Sequence, residues 1–133
     1  MDGQLVAHVA VSTRSRTEAR ACRLVVMPEW QGAGVGLRFL DAVCELWRTG
    51  ANRYGRPMLT LFHTSHPGLA SALRRSARWT QVSARLVGDS KQRSLDSMRL
   101  SSARNGTSAT GAGYGGHFRA VQGFRYLGAP SCE

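Results

Sequence analysis

The chain has 133 residues, 42% hydrophobic and 20% charged, which is typical of one globular domain. Eighteen Lys and Arg outnumber eight Asp and Glu, and a net charge of +10 attracts phosphate groups without identifying their carrier. No apolar run reaches the roughly 18 residues needed to cross a bilayer, and the polar start is unlike a secretory signal. Cys22, Cys44 and Cys132 form no Cys-x-x-Cys pair, which predicts free thiols, no zinc site and a cytoplasmic protein.

The first quarter of the chain predicts two strands joined by a polar connection. Leu5–Val11 is almost continuously apolar and suits a buried strand. Residues Ser12–Arg20 are polar and rich in Arg, so they predict a connection. Ala21–Met27 predicts the second strand, which Pro28 ends because proline cannot donate to a sheet.

A helix is predicted from about Gly34 to Thr49, with Gly50 as its stop. Apolar residues recur at steps of three and four and predict one buried stripe: Phe39, Leu40, Val43, Leu46 and Trp47. Polar residues fall on the other side of the helix: Arg38, Asp41, Glu45 and Arg48. Cys22 and Cys44 lack a matching His and Asp arrangement and are interpreted as packing residues.

The rest of the chain predicts four further elements and a long loop. Met58–His63 is a third strand, and Ser65 or His66 caps a short helix that begins at Pro67. The later elements are a strand at Trp79–Val87, a short helix within Asp89–Leu100, a flexible Ser- and Gly-rich loop at 101–116, and a strand at Phe118–Leu127.

The order of these elements predicts an α/β or mixed α+β sheet in a single domain covering residues 1–133. Residues 1–88 form the core in this interpretation, 101–116 the flexible loop and 117–128 the last strand. The glycine run at 111–116 follows polar residues instead of a strand, so it is assigned to the loop.

A glycine-rich turn between the second strand and the first helix carries the functional hypothesis. Gly32, Gly34 and Gly36 alternate with Ala33 and Val35. Glycine permits a positive φ and lets another molecule approach without meeting a Cβ. The helix that follows has unpaired N–H groups at its start, and such a cluster of donors suits a diphosphate.

Two common phosphate-binding motifs do not fit this turn. A Walker loop needs Lys and then Ser or Thr after the last glycine, whereas Leu37 and Arg38 follow here. A dinucleotide fingerprint needs glycine where Leu37 stands and a carboxylate about 20 residues later, and Met58–His63 contains none.

The remaining pattern is Gln-x-x-Gly-x-Gly after an apolar strand that ends in a hydrophobic residue and proline. It resembles motif A of the GNAT superfamily of N-acyltransferases, over about residues 4–88 and the last strand. The resemblance implies a mixed, mainly antiparallel central sheet flanked by helices, and acetyl-CoA or another acyl-CoA as cosubstrate without a metal. The implied cofactor-binding residues are Val26, Met27, Gln31, Gly32, Ala33, Gly34, Val35 and Gly36. Backbone groups near Val26 and Met27 would bind the pantetheine arm.

The reaction implied by the resemblance is direct attack of an amine on the thioester, with a backbone amide stabilising the oxyanion. Glu29, His63 and His66 are the candidate acids or bases. The alternatives without a catalytic role are an exposed loop carboxylate for Glu29, a half-buried strand residue for His63 and a helix cap for His66. The Tyr that often acts as the acid in the family is replaced by Leu73 or Arg74. Tyr126 is a remote substitute that is better suited to packing.

The resemblance also implies a strand and two helices before the first strand, which would shape the site for the amine acceptor. That block is expected to be absent, or supplied by a partner such as a second copy that completes the sheet. Two alternatives therefore stay open besides an active enzyme. One is a degenerate domain that binds CoA without turnover, and the other is a basic nucleic-acid-binding module.

Overall fold

The computed structural model describes residues 3–86, 91–106 and 120–129, with only the backbone for 91–94. The elements are β1 Ala7–Thr13, β2 Glu18–Val26, α1 Val35–Thr49, β3 Leu59–Thr64, α2 Pro67–Arg75, β4 Trp79–Arg85, α3 Lys91–Asn105 and β5 Val121–Tyr126. A short 3₁₀ turn, Pro28–Trp30, leads from β2 toward α1. No helix in the described part of the chain is long and apolar enough to span a membrane.

The five strands form one sheet in the order β1-β2-β3-β5-β4. The pair β2–β3 is parallel, and the other three pairs are antiparallel. The crossover between the parallel strands is α1, because parallel neighbours need a long connection. The predicted mixed, mainly antiparallel α+β sheet is therefore confirmed.

The core lies between the sheet and two helices. α1 contacts β1, β2 and β3, α2 contacts β3 and β4, and the two helices contact each other. The buried core residues include Ala21, Leu40, Cys44, Phe62, Ala70, Leu73, Trp79, Phe124 and Tyr126. The other side of the sheet, called here the outer face, carries the alternate residues Arg20, His63 and Arg125.

The buried side of α1 differs from the predicted stripe. Leu40 and Cys44 are fully buried, whereas Leu46 is 51% exposed. Asp41 was placed on the polar side, but it is half-buried and its Oδ1 accepts a hydrogen bond from Trp79 Nε1 at 2.6 Å. The indole donor offsets part of the cost of burying this carboxylate beside the core.

β2 begins earlier than the sequence predicted, within the segment 12–20 that was taken for a polar connection. Burial alternates along this part of β2: Ala19 and Ala21 are buried, whereas Arg20 and Cys22 are exposed. The charged residues are compatible with a strand because one sheet face is open to solvent. The predicted packing role of Cys22 is wrong, since its Sγ lies 3.0 Å from Ser12 Oγ on an exposed surface.

The predicted loop at 101–116 is helical at its start, because α3 continues to Asn105. Residues 107–116, including the second glycine run, and Cys132 lie outside the described residues. The last strand is Val121–Tyr126 and ends two residues before the predicted bound at 128, whereas residues 117–119 of the prediction lie outside the described residues. Serine-rich composition therefore did not exclude a helix in residues 101–105.

Candidate functional site

The parallel strands β2 and β3 separate at one end of the sheet. Their pairing runs only from Glu18↔Leu59 to Ala21↔Phe62, although β2 continues to Val26. The register of β2 against β1 shifts by one residue opposite Ala10/Val11, which leaves Cys22 as the extra residue of a bulge. A bulge bends its strand, so β2 diverges from β3 and a gap opens at their carboxyl ends.

The pleat of β2 determines which backbone groups face this gap. Met27 N–H donates to Val6 C=O at 2.9 Å, so Met27 is turned toward β1. Backbone groups alternate in direction along an antiparallel pair, so those of Val26 and Leu24 point the other way. Val26 C=O already accepts from Gln31 Nε2 at 2.9 Å. The N–H groups of Leu24 and Val26 therefore project into the gap.

The glycine turn closes the end of the gap. Gly32 and Gly34 have φ of +81° and +71°, a region that L side chains rarely adopt. Gly36 is needed for a different reason, since a Cβ there would lie 2.9 Å from Val26 Cγ2. Glycine at position 36 thus lets the start of α1 lie directly against β2.

The turn leaves a row of backbone donors free. No N–H of residues 32–37 donates to an acceptor within the described chain, and the first bond of α1 runs from Arg38 N–H to Gly34 C=O at 3.2 Å. Gly34 precedes the helix without a side-chain cap. Arg38 Nη2 donates to Ala33 C=O at 3.0 Å, which adds a full positive charge beside the partial charges. This arrangement favours an anion.

The gap and the turn together form a cleft of about 580 Å³, which lies within the usual range for small-molecule sites. Its lining comes from β2, the glycine turn, the start of α1, the end of β3 and α2: Leu24, Val26, Trp30, Gln31, Gly32, Gly34, Val35, Gly36, Leu37, Phe62, Thr64, His66, Gly68, Leu69 and Ala72. The walls are mainly apolar and the donors cluster at one end. Such a cleft suits a ligand with an aliphatic arm and a charged group.

The start of α2 forms the opposite lip of the cleft. His66 Nδ1 accepts from Leu69 N–H at 3.1 Å, and His66 N–H donates to Thr64 Oγ1 at 3.0 Å. The accepting Nδ1 is unprotonated, so a neutral imidazole carries its proton on Nε2. His66 can therefore donate from Nε2, but accepting a second proton on Nδ1 would break the cap.

The structure brings most of the predicted cofactor residues into the cleft. Those that line it are Val26, Gln31, Gly32, Gly34, Val35 and Gly36, joined by the candidate acid or base His66. Ala33 contributes its carbonyl to the turn, and Met27 is turned toward β1. Glu29 is exposed in the 3₁₀ turn and does not line the cleft.

His63 lies on the outer face, because the residues before and after it, Phe62 and Thr64, line the cleft. Its imidazole covers Gly123, where an added Cβ would lie 2.8 Å from Nε2. Burial, and then the positive charges of Arg20 and Arg85, lower the pKa of His63 below its usual value. His63 is thus an uncharged group at neutral pH, separated from the cleft by the sheet.

Other groups of potential chemical interest serve the fold. Leu73 is fully buried, and Arg74 Nη1 donates to Gln122 Oε1 at 2.7 Å. Tyr126 is buried edge-on against Trp79, with ring centroids 5.1 Å apart, as its predicted packing role requires. Burial raises the pKa of the Cys44 thiol to about 12, which removes it as a nucleophile. Within the described residues, no group of three His, Cys, Asp or Glu could hold a metal.

Sequence reasoning missed eight residues that line the cleft: Leu24, Trp30, Leu37, Phe62, Thr64, Gly68, Leu69 and Ala72. The alternation of β2 could have identified Leu24, which lies two residues before Val26 on the same side of the strand. Thr64 follows a predicted strand end at the same sheet edge, which is where ligands bind in parallel pairs. No pattern in the sequence indicated Trp30.

The fold is similar to that of Ard1 from Thermoplasma volcanium, a crystal structure with a TM-score of 0.54 and 16% sequence identity. The match covers 95% of this chain and 66% of that chain, so this chain spans just under two thirds of the length of Ard1. No protein-family model and no curated protein matches the sequence. At this identity the likeness concerns the fold alone. The chain has a mixed α+β fold, which is consistent with the GNAT-like fold that its sequence predicted.

Proposed function

We propose that the cleft binds an acyl-CoA and that the protein transfers the acyl group to an amine. The observation that carries the proposal is the row of free N–H groups at residues 32–37, at the closed end of the cleft between β2 and β3. The pyrophosphate occupies this row, where the helix start and Arg38 favour a double negative charge. The mixed α+β fold, which is consistent with the GNAT-like fold that the sequence pattern implies, is compatible with the same assignment.

The pantetheine arm lies between the separated strands. Its amide groups require backbone partners, and the N–H group of Val26 faces the gap for this purpose, whereas that of Leu24, nearer the bulge, is left for the thioester oxygen. Its methylene groups pack against the apolar walls formed by Phe62, Leu37 and Leu69. The thioester is thereby directed along β2 toward the bulge at Cys22.

The transfer consists of one addition and one elimination. The lone pair of the neutral amine attacks the thioester carbonyl carbon, the C–N bond forms, and negative charge develops on the carbonyl oxygen. A β2 N–H that faces the gap stabilises this oxyanion. Collapse breaks the C–S bond and releases the CoA thiolate, while the amine proton passes to water.

His66 lines the cleft and stabilises the leaving thiolate with a hydrogen bond from its Nε2–H, without giving up that proton. The same imidazole is a poor base in this geometry, because its Nδ1 already caps α2. No Tyr stands at Leu73 or Arg74, so the thiolate has no phenol acid at that place. Glu29 and His63 remain sequence predictions for the base, and neither faces the cleft.

The binding step is tested by calorimetric titration of the protein with CoA and acetyl-CoA. Gly34→Asp places a carboxylate beside the free N–H groups and should weaken binding at least about tenfold, or about 1.4 kcal/mol. Its matched control is Gly55→Asp, since Gly55 also has a positive φ of +62° and no atom within 4 Å of an added Cβ. Absence of saturable binding to the parent protein, or equal losses in both variants, would refute the assignment.

The transfer step is tested by the release of free thiol from acetyl-CoA with a panel of amines. Release that depends on both amine and protein, and that is lost in Gly34→Asp, supports an acyltransferase. Saturable CoA binding without thiol release from any amine would instead support the degenerate, non-catalytic domain.

A further inference from the structure

The end of the sheet opposite the cleft presents a second charged surface. The turn between β1 and β2 and the loop between α1 and β3 lie side by side there, since Leu59 N–H donates to Thr17 C=O at 2.9 Å. We call this surface the arginine end and define it by Arg14, Arg16, Arg53, Tyr54 and Arg56. Six residue steps along β2, from Glu18 to Leu24, separate it from the cleft, or about 20 Å.

The arginine end is strongly positive. Residues 13–18 and 50–58 contain four arginines and one carboxylate, Glu18, so three positive charges remain in excess. Glu18 lies 3.5 Å from Arg14, whose side chain is still 64% exposed. Arg16 and Arg53 are exposed as well. The surface therefore attracts a multiply charged anion.

The loop that carries Arg53 and Tyr54 is fixed by its own hydrogen bonds. Asn52 Oδ1 accepts from Tyr54 N–H at 2.9 Å, and Asn52 Nδ2 donates to Arg56 C=O at 2.8 Å. Gly55 N–H closes the turn on Asn52 C=O at 2.9 Å. These hydrogen bonds fix the conformation of the loop, so less conformational entropy is lost when a ligand binds to it.

An aromatic ring lies among these arginines. The guanidinium carbons of Arg53 and Arg56 lie 4.7 and 5.4 Å from the Tyr54 ring centroid, and the ring of Trp47 lies 6.2 Å away. Tyr54 is 37% exposed. The guanidinium of Arg53, and then the hydroxyl of Thr13, lower its pKa. Interleaved arginine and aromatic groups are typical of surfaces that bind single strands.

We propose that the arginine end binds single-stranded nucleic acid, with the guanidinium groups on its phosphates and a base stacked on the arginine and tyrosine planes. Arginine binds phosphate through paired N–H groups, and its plane also stacks on bases. The surface is independent of the acyl-CoA cleft. It would hold the protein on a nucleic acid while the cleft remains open.

The test is fluorescence anisotropy of a labelled oligouridine with the whole chain over a range of salt concentrations. The double variant Arg16→Gln with Arg53→Gln should bind at least about tenfold more weakly at low salt, with a log–log salt slope shallower by about 1.4. The control removes two equally exposed charges from α3, Arg99→Gln with Arg104→Gln. It should change affinity less than about twofold, because total charge is matched and only position differs.

Substitutions at Tyr54 distinguish the contribution of base stacking from that of charge, because they leave the net charge unchanged. Tyr54→Phe keeps the ring beside Arg53 and should bind oligouridine like the parent, whereas Tyr54→Ala should lose about fivefold or more. Thermal unfolding of both variants shows whether the loss reflects binding alone. Equal binding by Tyr54→Ala and Tyr54→Phe, in folded proteins, would overturn the stacking part of the proposal.

Three outcomes would overturn the proposal as a whole: no binding by the parent chain, equal losses in the two double variants, or tighter capture of a polyglutamate peptide than of oligouridine. The last result would assign the surface to an acidic protein. CoA titrations of the same variants should match the parent, so failure here is distinguishable from failure of the acyl-CoA assignment.

Discussion

Two helices begin at the same cleft, and they begin in opposite ways. α1 follows Gly34, has no side-chain cap and leaves its first N–H groups without partners in the described chain. α2 follows His66, whose Nδ1 caps Leu69 N–H, and its first residue is Pro67, which has no N–H to satisfy. The start of α2 is therefore capped by a side chain, whereas the start of α1 has no side-chain cap.

The difference indicates where a ligand is expected. An uncapped helix start lacks stabilisation of about 1 kcal/mol that Ser, Thr, Asn or Asp would supply. At α1 the missing cap coincides with a deep apolar cleft and a nearby guanidinium, so the donors are placed to serve an anion. At α2 the N–H groups of Leu69 and Ala70 both donate to His66, and the histidine side chain becomes the feature exposed to a ligand.

The largest expected effect comes from adding one methyl group at the second residue of each helix. Gly36→Ala places a Cβ 2.9 Å from the stiff Val26 side chain, so we expect a loss of about 1–3 kcal/mol in the free energy of unfolding. Gly68→Ala meets only the exposed His66 imidazole at 3.1 Å. It should be neutral or stabilise by up to about 1 kcal/mol, because Ala favours helix over Gly.

Urea unfolding of the two variants measures this contrast, and CoA titration of the same samples follows binding. Gly36→Ala should also weaken the binding of CoA, because the added methyl group forces the start of α1 away from β2. If Gly68→Ala proved the more destabilising change, the close packing of α1 on β2 would not be the feature that requires glycine.

The next effect concerns the cap of α2. His66→Ala should lower the free energy of unfolding by about 1 kcal/mol, whereas His66→Asn keeps a side-chain acceptor and should retain most of it. If the imidazole also donates to the thiolate, both variants should lose turnover, including the one that stays stable. Full turnover by His66→Asn would restrict His66 to capping.

A smaller effect tests how α1 is anchored without a cap at its start. Burial raises the pKa of Asp41, despite the Trp79 hydrogen bond and the charge of Arg78. The folded state therefore holds the proton more tightly, so stability is greatest below the unfolded value of 3.8 and falls as the pH rises through the folded pKa. Asp41→Asn should remove this decline, as measured by unfolding from acidic to neutral pH. An unchanged decline would place its origin elsewhere.

The smallest expected effect is at Glu29. Because this carboxylate does not line the cleft, Glu29→Gln should change kcat by less than about twofold, far below the contribution of a general base. The rate of thiol release from acetyl-CoA, measured for the parent and for Glu29→Gln, tests this prediction. A fall of about tenfold or more would establish Glu29 as the base that the sequence suggested.

The sequence predicted those parts of the molecule that local chemistry determines. The glycine turn, the span of α1 with its Gly50 stop and the start of α2 at Pro67 each depend on neighbouring residues. The separation of β2 from β3 depends instead on the bulge at Cys22, which is determined by pairing with β1.

Other features were missed because tertiary contacts decide them. The charges of Glu18 and Arg20 indicated a loop, because the sequence does not show that one face of the sheet is open to solvent. Asp41 was expected to be exposed to solvent, because the sequence does not show that Trp79 lies beside it. Likewise, His66 was recognised as a candidate cap, but only the bond to Leu69 N–H shows which ring nitrogen is free.

The most direct measurement is a ¹⁵N NMR titration of the whole chain with CoA, followed by the same titration with inorganic pyrophosphate. Both ligands should shift the amide resonances of Gly32, Gly34 and Gly36 most, because their N–H groups are the free donors, while Gly50, which lies at the other end of α1 and donates to Trp47 C=O, changes little. Shifts confined to the Arg53–Arg56 loop, or none at the three glycines, would contradict the claim that the open start of α1 binds the anion.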